Sequence, residues 1–356
     1  RDSLILQHSC ELIALRKLEN HHGVTTTPML YAVEGHIAEF FKACRKALWQ
    51  SVEMDFSACN FNEQQAAAAR LASVYGCSII TGGAGVGKTY VISALARNFE
   101  AQKNIVALAA PTGKAARRME QLGAGTASTI HRLLQFDPEG GGFYYREGKP
   151  LPYDVVIIDE ASMLDVYLMS SLVRAIDLNK TSVIFVGDHN QLPPVGPGYP
   201  FRDLIKHEWV PVTKLTEVVR QSGCLKRNCV DVLDGKVHTT ETDEISNWFM
   251  FDDLSDTDEL SGMILQIHQE ILGGKDLPYH PITETQVLTP QKSGELGTHA
   301  INVMLQHYNQ CKLLGNKIPM GSSKKRPTFY VGDKVIQTVN DYGLNVMNGT
   351  IGYVTA

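Results

Sequence analysis

Lysine and threonine at the end of a glycine-rich octet are the residues here whose spacing most directly implies chemistry. Gly82-Gly83-Ala84-Gly85-Val86-Gly87-Lys88-Thr89 fits G-x-x-x-x-G-K-[ST], the pattern of a loop that cradles the phosphates of a nucleoside triphosphate. Glycines accept positive φ, so successive N–H groups turn inward, and the helix that follows adds its positive N-terminal end. The spacing therefore puts Gly83, Ala84, Gly85, Val86 and Gly87 around the phosphates. Lys88 reaches the β- and γ-phosphates, and the Thr89 hydroxyl is a ligand for Mg²⁺. A dinucleotide fingerprint does not fit, because G-x-G-x-x-G needs glycine where Lys88 or Tyr90 stands.

Hydrolysis needs acids beside those phosphates. Val155-Val156-Ile157-Ile158 runs straight into Asp159-Glu160, an apolar strand that ends in two carboxylates. At the C-terminal edge of a parallel sheet this places Asp159 in the Mg²⁺ shell and Glu160 where it can polarise the attacking water. A second apolar run ends in Gly187-Asp188, and Gln191 just beyond it is placed to bond the γ-phosphate. Leu215-Thr216-Glu217-Val218-Val219-Arg220-Gln221 supplies an arginine, Arg220, that a neighbouring domain could bring across a cleft.

These residues need a sheet to hold them. Apolar runs at 77–80, 105–110, 155–159 and 183–186 alternate with helical patterns such as 91–96, which predicts a parallel sheet covered on both faces. Residues 1–50 show helical spacing, with Leu12, Leu15 and Leu18 in one stretch and Ile37, Phe40, Phe41, Ala47 and Leu48 in another. The Gly-rich stretch 139–149 predicts an exposed loop or hairpin, and 252–259 an acidic loop whose spacing fits no calcium site. Further on, a strand is expected at 286–289, a helix at 298–308 and a β-rich end at 334–354.

Composition narrows the classes. A chain of 356 residues is long enough for two domains. With 33 Lys and Arg against 38 Asp and Glu, the net charge of −5 sets up no global basic field, so any nucleic-acid site must be a local patch. Seven cysteines make no C-x-x-C pair, which suits reduced thiols in the cytoplasm better than a disulfide framework, and Cys224 with Cys229 lacks the second pair a zinc site needs. No apolar run is long enough to span a bilayer.

Taken together, the motifs carry a family resemblance. Gly82 to Thr89, Ala110-Pro111-Thr112-Gly113-Lys114-Ala115-Ala116, Ser128-Thr129-Ile130-His131-Arg132, Asp159-Glu160-Ala161-Ser162, 187–198 and Val219-Arg220-Gln221 resemble, in order, the motifs of superfamily 1 DNA helicases of the RecD-like kind. Phe61-Asn62-Glu63-Gln64-Gln65 is similar to the family's adenine-recognition motif, which implies that Gln65 meets the base and that ATP is preferred. Leu288-Thr289-Pro290-Gln291, Gly332-Asp333-Lys334-Val335 and Asn348-Gly349-Thr350-Ile351-Gly352 resemble the second RecA-like domain and the start of an SH3-like insertion.

The resemblance implies an α/β P-loop NTPase: a helical N-terminal region at 1–50, a first RecA-like ATPase domain at 51–212, part of a second at 213–328, and the start of an SH3-like β insertion at 329–356. It also implies a surface for single-stranded DNA made by Pro111, Thr112, Lys114, Thr129, His131 and Arg132, where phosphates are met and sequence is not read. A solvated basic loop is the reading for Lys324-Lys325-Arg326. The implied activity is ATP-dependent unwinding and 5′ to 3′ translocation in recombination or repair, on single strands and duplex junctions. The alternative is an ATP-switched DNA-binding subunit of a nuclease or repair complex. Arg1 and Ala356 are expected to lie inside a longer protein, the later family motifs falling after Ala356.

Overall fold

Strands as apolar as Val155-Val156-Ile157-Ile158 must be buried on both faces, and the computed structural model places them in one six-stranded parallel sheet. The structure describes residues 19–21, 24–45, 49, 54–217, 223–245, 247–254, 256–273, 280, 282–318, 328–339, 341, 343, 344, 346 and 348–356. The chain divides into two compact units, Arg1–Lys236 and Val237–Ala356.

The first unit opens with an antiparallel pair, β1 (Glu19–His21) and β2 (Val24–Thr26), before α1 (Pro28–Cys44). The N-terminal region is thus not helical throughout, as its periodicity suggested; Leu12, Leu15 and Leu18 lie outside the described residues. α1 starts where Thr27 accepts a hydrogen bond from the Leu30 N–H and Pro28 occupies the first turn. Next come α2 (Glu63–Val74), β3 (Cys77–Gly82), α3 (Lys88–Ala101), β4 (Val106–Ala110), α4 (Gly113–Gln121), β5 (Ala127–Thr129) and the short α5 (Ile130–Leu133). The Gly-rich stretch is part of a hairpin, β6 (Phe136–Asp137) with β7 (Gly142–Phe143). Then follow β8 (Val155–Ile158), α6 (Val166–Arg174), β9 (Ser182–Gly187), α7 (Pro200–His207), β10 (Val212–Leu215) and α8 (Gly223–Leu233).

Strand order across the sheet is β10-β3-β9-β8-β4-β5. Alternate residues of each strand feed opposite layers. Val156, Ile158 and Phe185 pack with Phe41 of α1 and Leu172 of α6, while Val155, Ile157 and Ile184 pack with Leu95 of α3 and Met119 of α4. Each such side chain contributes roughly 1.5–3 kcal/mol by leaving water. The boundary expected at 212/213 falls inside β10, because Val212–Leu215 pairs with Ile79–Gly82 and closes the sheet edge beside β3.

The second unit is sparser. β11 (Glu241–Thr242) pairs with β12 (Asn247–Trp248), α9 (Thr257–Gly273) takes up the end of the acidic stretch, and α10 (Thr298–Tyr308) occupies the span the sequence predicted. β13 (Lys334–Ile336) and β14 (Ile351–Tyr353) form an antiparallel pair within the expected β-rich end. The strand expected at 286–289 does not form: that stretch has no ladder partner among the described residues and Leu288 is 87% exposed.

Candidate functional site

Parallel strands deliver every strand-end loop to one edge of the sheet. Along that edge the loops after β10, β3, β9 and β8 come first, and those after β4 and β5 follow. At the usual strand spacing, the acids after β8 stand about 10 Å from the loop after β3, and the β5 end about 19 Å from it. One edge therefore holds a phosphate-loop half and a second half carrying the residues expected to meet DNA.

The loop itself is built for an anion. Gly85 and Gly87 take φ of 81° and 85°, left-handed values that glycine adopts without strain. Gly87 begins α3 with no side-chain cap, so the first-turn amides of a 14-residue helix are left for a ligand. Lys88 Nζ donates to the carbonyls of Gly82 at 2.7 Å and Gly83 at 2.8 Å, which folds its charge over the loop. Val86 is buried and anchors the turn, while Gly83, Gly85, Gly87 and Thr89 are half-buried and Ala84 is exposed. Gly82 is required by packing, since a Cβ there would collide with the Leu215 carbonyl of β10.

Asp159 follows the last residue of β8 and is only 8% exposed. Burial is the main cause that lifts its carboxyl to about 6, and the charge of Glu160 adds to the rise; the Glu160 N–H, which Asp159 Oδ1 accepts at 2.9 Å, and the cations of Lys88 and Arg118 work against it. Arg118 of α4 is thus electrostatically part of this site. Glu160 sits at φ 52°, ψ 38°, a left-handed conformation that costs a non-glycine residue on the order of 1 kcal/mol or more. Its Oε2 is buried without a hydrogen-bond partner among the described residues, the condition of a carboxylate oxygen kept for a ligand. Thr89 and Asp159 suit a magnesium ion that takes its other ligands from phosphate oxygens and water. Among the described residues no cluster of three or more His, Cys, Asp or Glu forms a protein-only metal cage.

The β9 loop is tied to the phosphate strand. Thr81 Oγ1 shares a hydrogen bond with His189 Nδ1 at 2.8 Å, and burial lowers the His189 pKa against the opposing charge of Asp188. Gln191 is exposed, and its carbonyl accepts from the Tyr199 hydroxyl at 2.8 Å. Arg220 lies outside the described residues, as do Lys324, Lys325 and Arg326.

Gln65 stands beside the phosphate loop. It is 4% exposed, and its amide is engaged at both ends: Oε1 accepts from the Asn62 N–H at 3.2 Å, and Nε2 donates to the Val86 carbonyl at 3.1 Å. A capping box at the start of α2 turns the side chain toward the loop, where it meets the Val86–Gly87 peptide. Two neighbours in the same motif act alongside it, through contacts the motif does not announce. Gln64 accepts from the Thr216 N–H at 2.7 Å and donates to its hydroxyl at 2.8 Å, and Asn62 Nδ2 donates to Glu217 Oε2 at 2.7 Å. They lock the end of β10 to the start of α2. The N-x-x-Q capping pattern marks Asn62 and Gln65; no local pattern marks Gln64, whose partner is Thr216.

At the β4 and β5 ends the hydroxyls serve the backbone. Thr112 caps α4 by accepting from the Ala115 N–H, and Thr129 caps α5 by accepting from the Arg132 N–H at 3.2 Å. Pro111 is half-buried, and Lys114 and Arg132 are exposed. The His131 ring packs against Phe136 and Phe143 of the hairpin, with centroids 5.8 and 5.7 Å apart, and burial lowers its pKa.

The sheet, the loop and the acids define a P-loop NTPase with a RecA-like core. Residues 64–197 match the family model described as an AAA domain. The chain is 35% identical over 293 residues to the ATP-dependent RecD2 DNA helicase of Deinococcus radiodurans, covering 82% of this chain and 38% of that protein. It is 28% identical over 336 residues to the RecBCD enzyme subunit RecD of Mycolicibacterium smegmatis, covering 83% of this chain and 57% of that one. A Pif1 helicase crystal structure from Candida albicans is similar with a TM-score of 0.43 at 20% identity, over 83% of this chain and 69% of that chain. Over most of its length the chain is similar to these RecD-type proteins, and it spans between about a third and three-fifths of these two curated relatives. No helix among the described residues is long and apolar enough to cross a membrane.

Proposed function

We propose that the protein is an ATP-driven motor on single-stranded DNA, acting in recombination or repair in the cytoplasm. The observation that carries this reading is the pairing of an uncapped helix start and Lys88 with a desolvated Asp159 and an orphaned Glu160 oxygen on one sheet edge. Bound triphosphate draws Lys88 from the loop carbonyls onto its β- and γ-oxygens. Water attacks the γ-phosphorus in line and gives its proton to Glu160, while the bond to the bridging oxygen breaks and its electron pair leaves with ADP. Magnesium, held by Thr89 and Asp159, would neutralise charge developing on the phosphates. Gln191 reports whether the γ-phosphate is attached, and Arg220 balances charge on the group in transfer.

Translocation requires a second half. We assign the second unit, up to residue 328, to part of a second RecA-like domain and 329–356 to the start of an SH3-like insertion. Pro111, Thr112, Lys114, Thr129, His131 and Arg132 grip phosphates of the strand at the β4 and β5 end, and the RecD-like resemblance supports 5′ to 3′ travel toward duplex junctions. Lys88→Ala in the full-length protein abolishes DNA-stimulated ATP hydrolysis; unchanged hydrolysis in that variant overturns the reading. A second reading is favoured by the M. smegmatis relative being a RecBCD subunit: the protein is an ATP-switched component of a nuclease or repair assembly. Unwinding of a tailed duplex by the purified protein alone decides for the motor, and unwinding only with added subunits decides for the component.

A further inference from the structure

The loop after β9 is fastened to the phosphate strand through a single threonine. Thr81 pairs with Gly187 across the β3–β9 ladder. The chain then turns at Asp188, whose Oδ1 accepts from the Asn190 N–H at 3.0 Å and whose carbonyl accepts from the Gln191 N–H at 3.2 Å. That turn brings His189 back to Thr81, and the two residues meet twice: the His189 N–H donates to Thr81 Oγ1 at 3.4 Å, and Oγ1 stands 2.8 Å from His189 Nδ1. Thr81 is fully buried, so its hydroxyl proton needs an acceptor, and among the described residues the one it meets is Nδ1. With Nδ1 accepting, the proton of a neutral imidazole sits on Nε2. Burial lowers the ring's pKa, the charge of Asp188 opposes, and the cations of Lys214, Arg202 and Lys88 lower it further, so the ring is neutral at pH 7.

Nε2 has no hydrogen-bond partner among the described residues, and the ring is half-buried. Its surroundings are those of the phosphate loop: the charge of Lys88 reaches the ring, and Lys88 Nζ is held by the carbonyl of Gly82, the residue after Thr81. We propose that His189 is a further catalytic residue of this site, whose Nε2–H donates to an oxygen of the terminal phosphate beside Lys88, with Thr81 keeping the ring in the tautomer that presents it. The proposal rests on the phosphate-site reading above and adds an uncharged donor to it. A donor to the terminal phosphate acts on ATP and spares ADP. A ring that only braces the β9 loop acts through its bond to Thr81, not through Nε2.

Equilibrium binding of β,γ-imido-ATP and of ADP, both with magnesium, to the full-length protein separates donor from brace. An asparagine amide oxygen falls where Nδ1 was, so His189→Asn keeps an acceptor for Thr81 and loses the donor. A glutamine amide reaches where Nε2 was, so His189→Gln keeps a donor and loses the partner of Thr81. His189→Asn is expected to weaken the triphosphate about 10- to 100-fold, the worth of one hydrogen bond to a charged group, with ADP held within about twofold. His189→Gln is expected to lose less. Loss in the glutamine variant alone, equal losses in both, ADP weakened as much as the triphosphate, or no change in either ligand overturns the proposal. Nitrogen NMR of the histidine rings adds a direct reading: the signal that His189→Asn removes should belong to an Nε2-protonated ring, and an Nδ1-protonated one overturns the proposal as well. Lys88→Ala is the control: if it binds the triphosphate as the parent does, the phosphate site itself is misassigned, whereas loss in Lys88→Ala with none in His189→Asn defeats the His189 role alone.

Discussion

The two units are held together by different physics. In the first, the buried set is a double apolar layer around six parallel strands, with Phe41, Phe99, Phe185 and Phe201 fully enclosed. In the second, three of the buried side chains among the described residues are His268, Gln310 and Asp333, and the Asp333 carboxylate accepts from Gln310 Nε2 at 2.8 Å, from Gln306 Nε2 and from the Tyr330 N–H at 2.8 Å. Apolar burial is tolerant of small shifts, because it depends on area. A carboxylate shared by two amides and a peptide depends on direction, and loses most of its value when one partner moves. The first unit can therefore keep a costly charge such as Asp159 in its midst, while the second spends its buried groups on its own connectivity.

The largest expected effect breaks the apolar half of this comparison. Phe185→Ala opens a cavity between β9 and α1, where the rings of Phe185 and Phe41 lie 5.8 Å apart, and should destabilise the first unit by about 3–5 kcal/mol. Trp209 packs against the same core and reports the first unit, whereas Trp248 donates to the His238 carbonyl in the second. Urea unfolding followed by fluorescence in proteins that retain only one of the chain's three tryptophans should show the Trp209 transition shift and the Trp248 transition stay. A shift of both transitions would mean that the second unit borrows stability from the first.

Next in size is a gain. An acid whose folded pKa is raised loses stability as pH climbs from its unfolded value toward its folded one, because the native state holds the proton more tightly. For Asp159 that window runs from 3.8 to about 6, and the cost above it is on the order of 3 kcal/mol. Asp159→Asn keeps the acceptor for the Glu160 N–H and removes the charge. In EDTA, without nucleotide, it should be more stable than the parent at pH 7, converge with it near pH 4, and hydrolyse no ATP. Equal stability at pH 7 would show that the carboxylate is better solvated than its burial implies.

This contrast also explains what could be read in advance. The six-stranded sheet was legible from 155–159 and its neighbours because a strand buried on both faces must be an apolar run, and Gly85 and Gly87 because left-handed backbone needs glycine. The strand expected at 286–289 was not there to find: Val287 and Leu288 have the composition of a strand, but a strand exists only where another offers a ladder, and no local pattern records the partner. The contacts of Gln65 in the folded chain were out of reach in the same way. Its bond to the Val86 carbonyl is made by the capping turn of α2, which brings residues 62 and 65 against residue 86. Gln64 and Thr216 are separated by 152 positions, beyond any motif.

The directional half of the comparison predicts a smaller loss in the second unit. Asp333→Ala leaves the Gln306 and Gln310 amides and the Tyr330 N–H without their acceptor and should cost about 1–3 kcal/mol, seen as faster hydrogen exchange at Tyr330 with the first unit unaffected. Asp333→Asn, which retains an acceptor oxygen, should lose less. Equal losses would show that the charge, not the direction of the bonds, secures this network.

Smallest in energy, and sharpest in meaning, is the cap on α5, a directional bond placed inside the apolar unit. Thr129 Oγ1 holds the Arg132 N–H, and α5 has only four residues, so the cap fixes both the start of the helix and the departure of His131 and Arg132. Thr129→Ala should cost about 1 kcal/mol of stability and weaken single-stranded DNA binding by several fold, while Thr129→Ser, which keeps the hydroxyl, should restore both. If serine restores stability but not DNA binding, the threonine methyl meets the strand itself and the residue is more than a cap. If alanine leaves DNA binding unchanged, the β5 end is not where the strand is held, and the division of the sheet edge into a phosphate half and a DNA half must be redrawn.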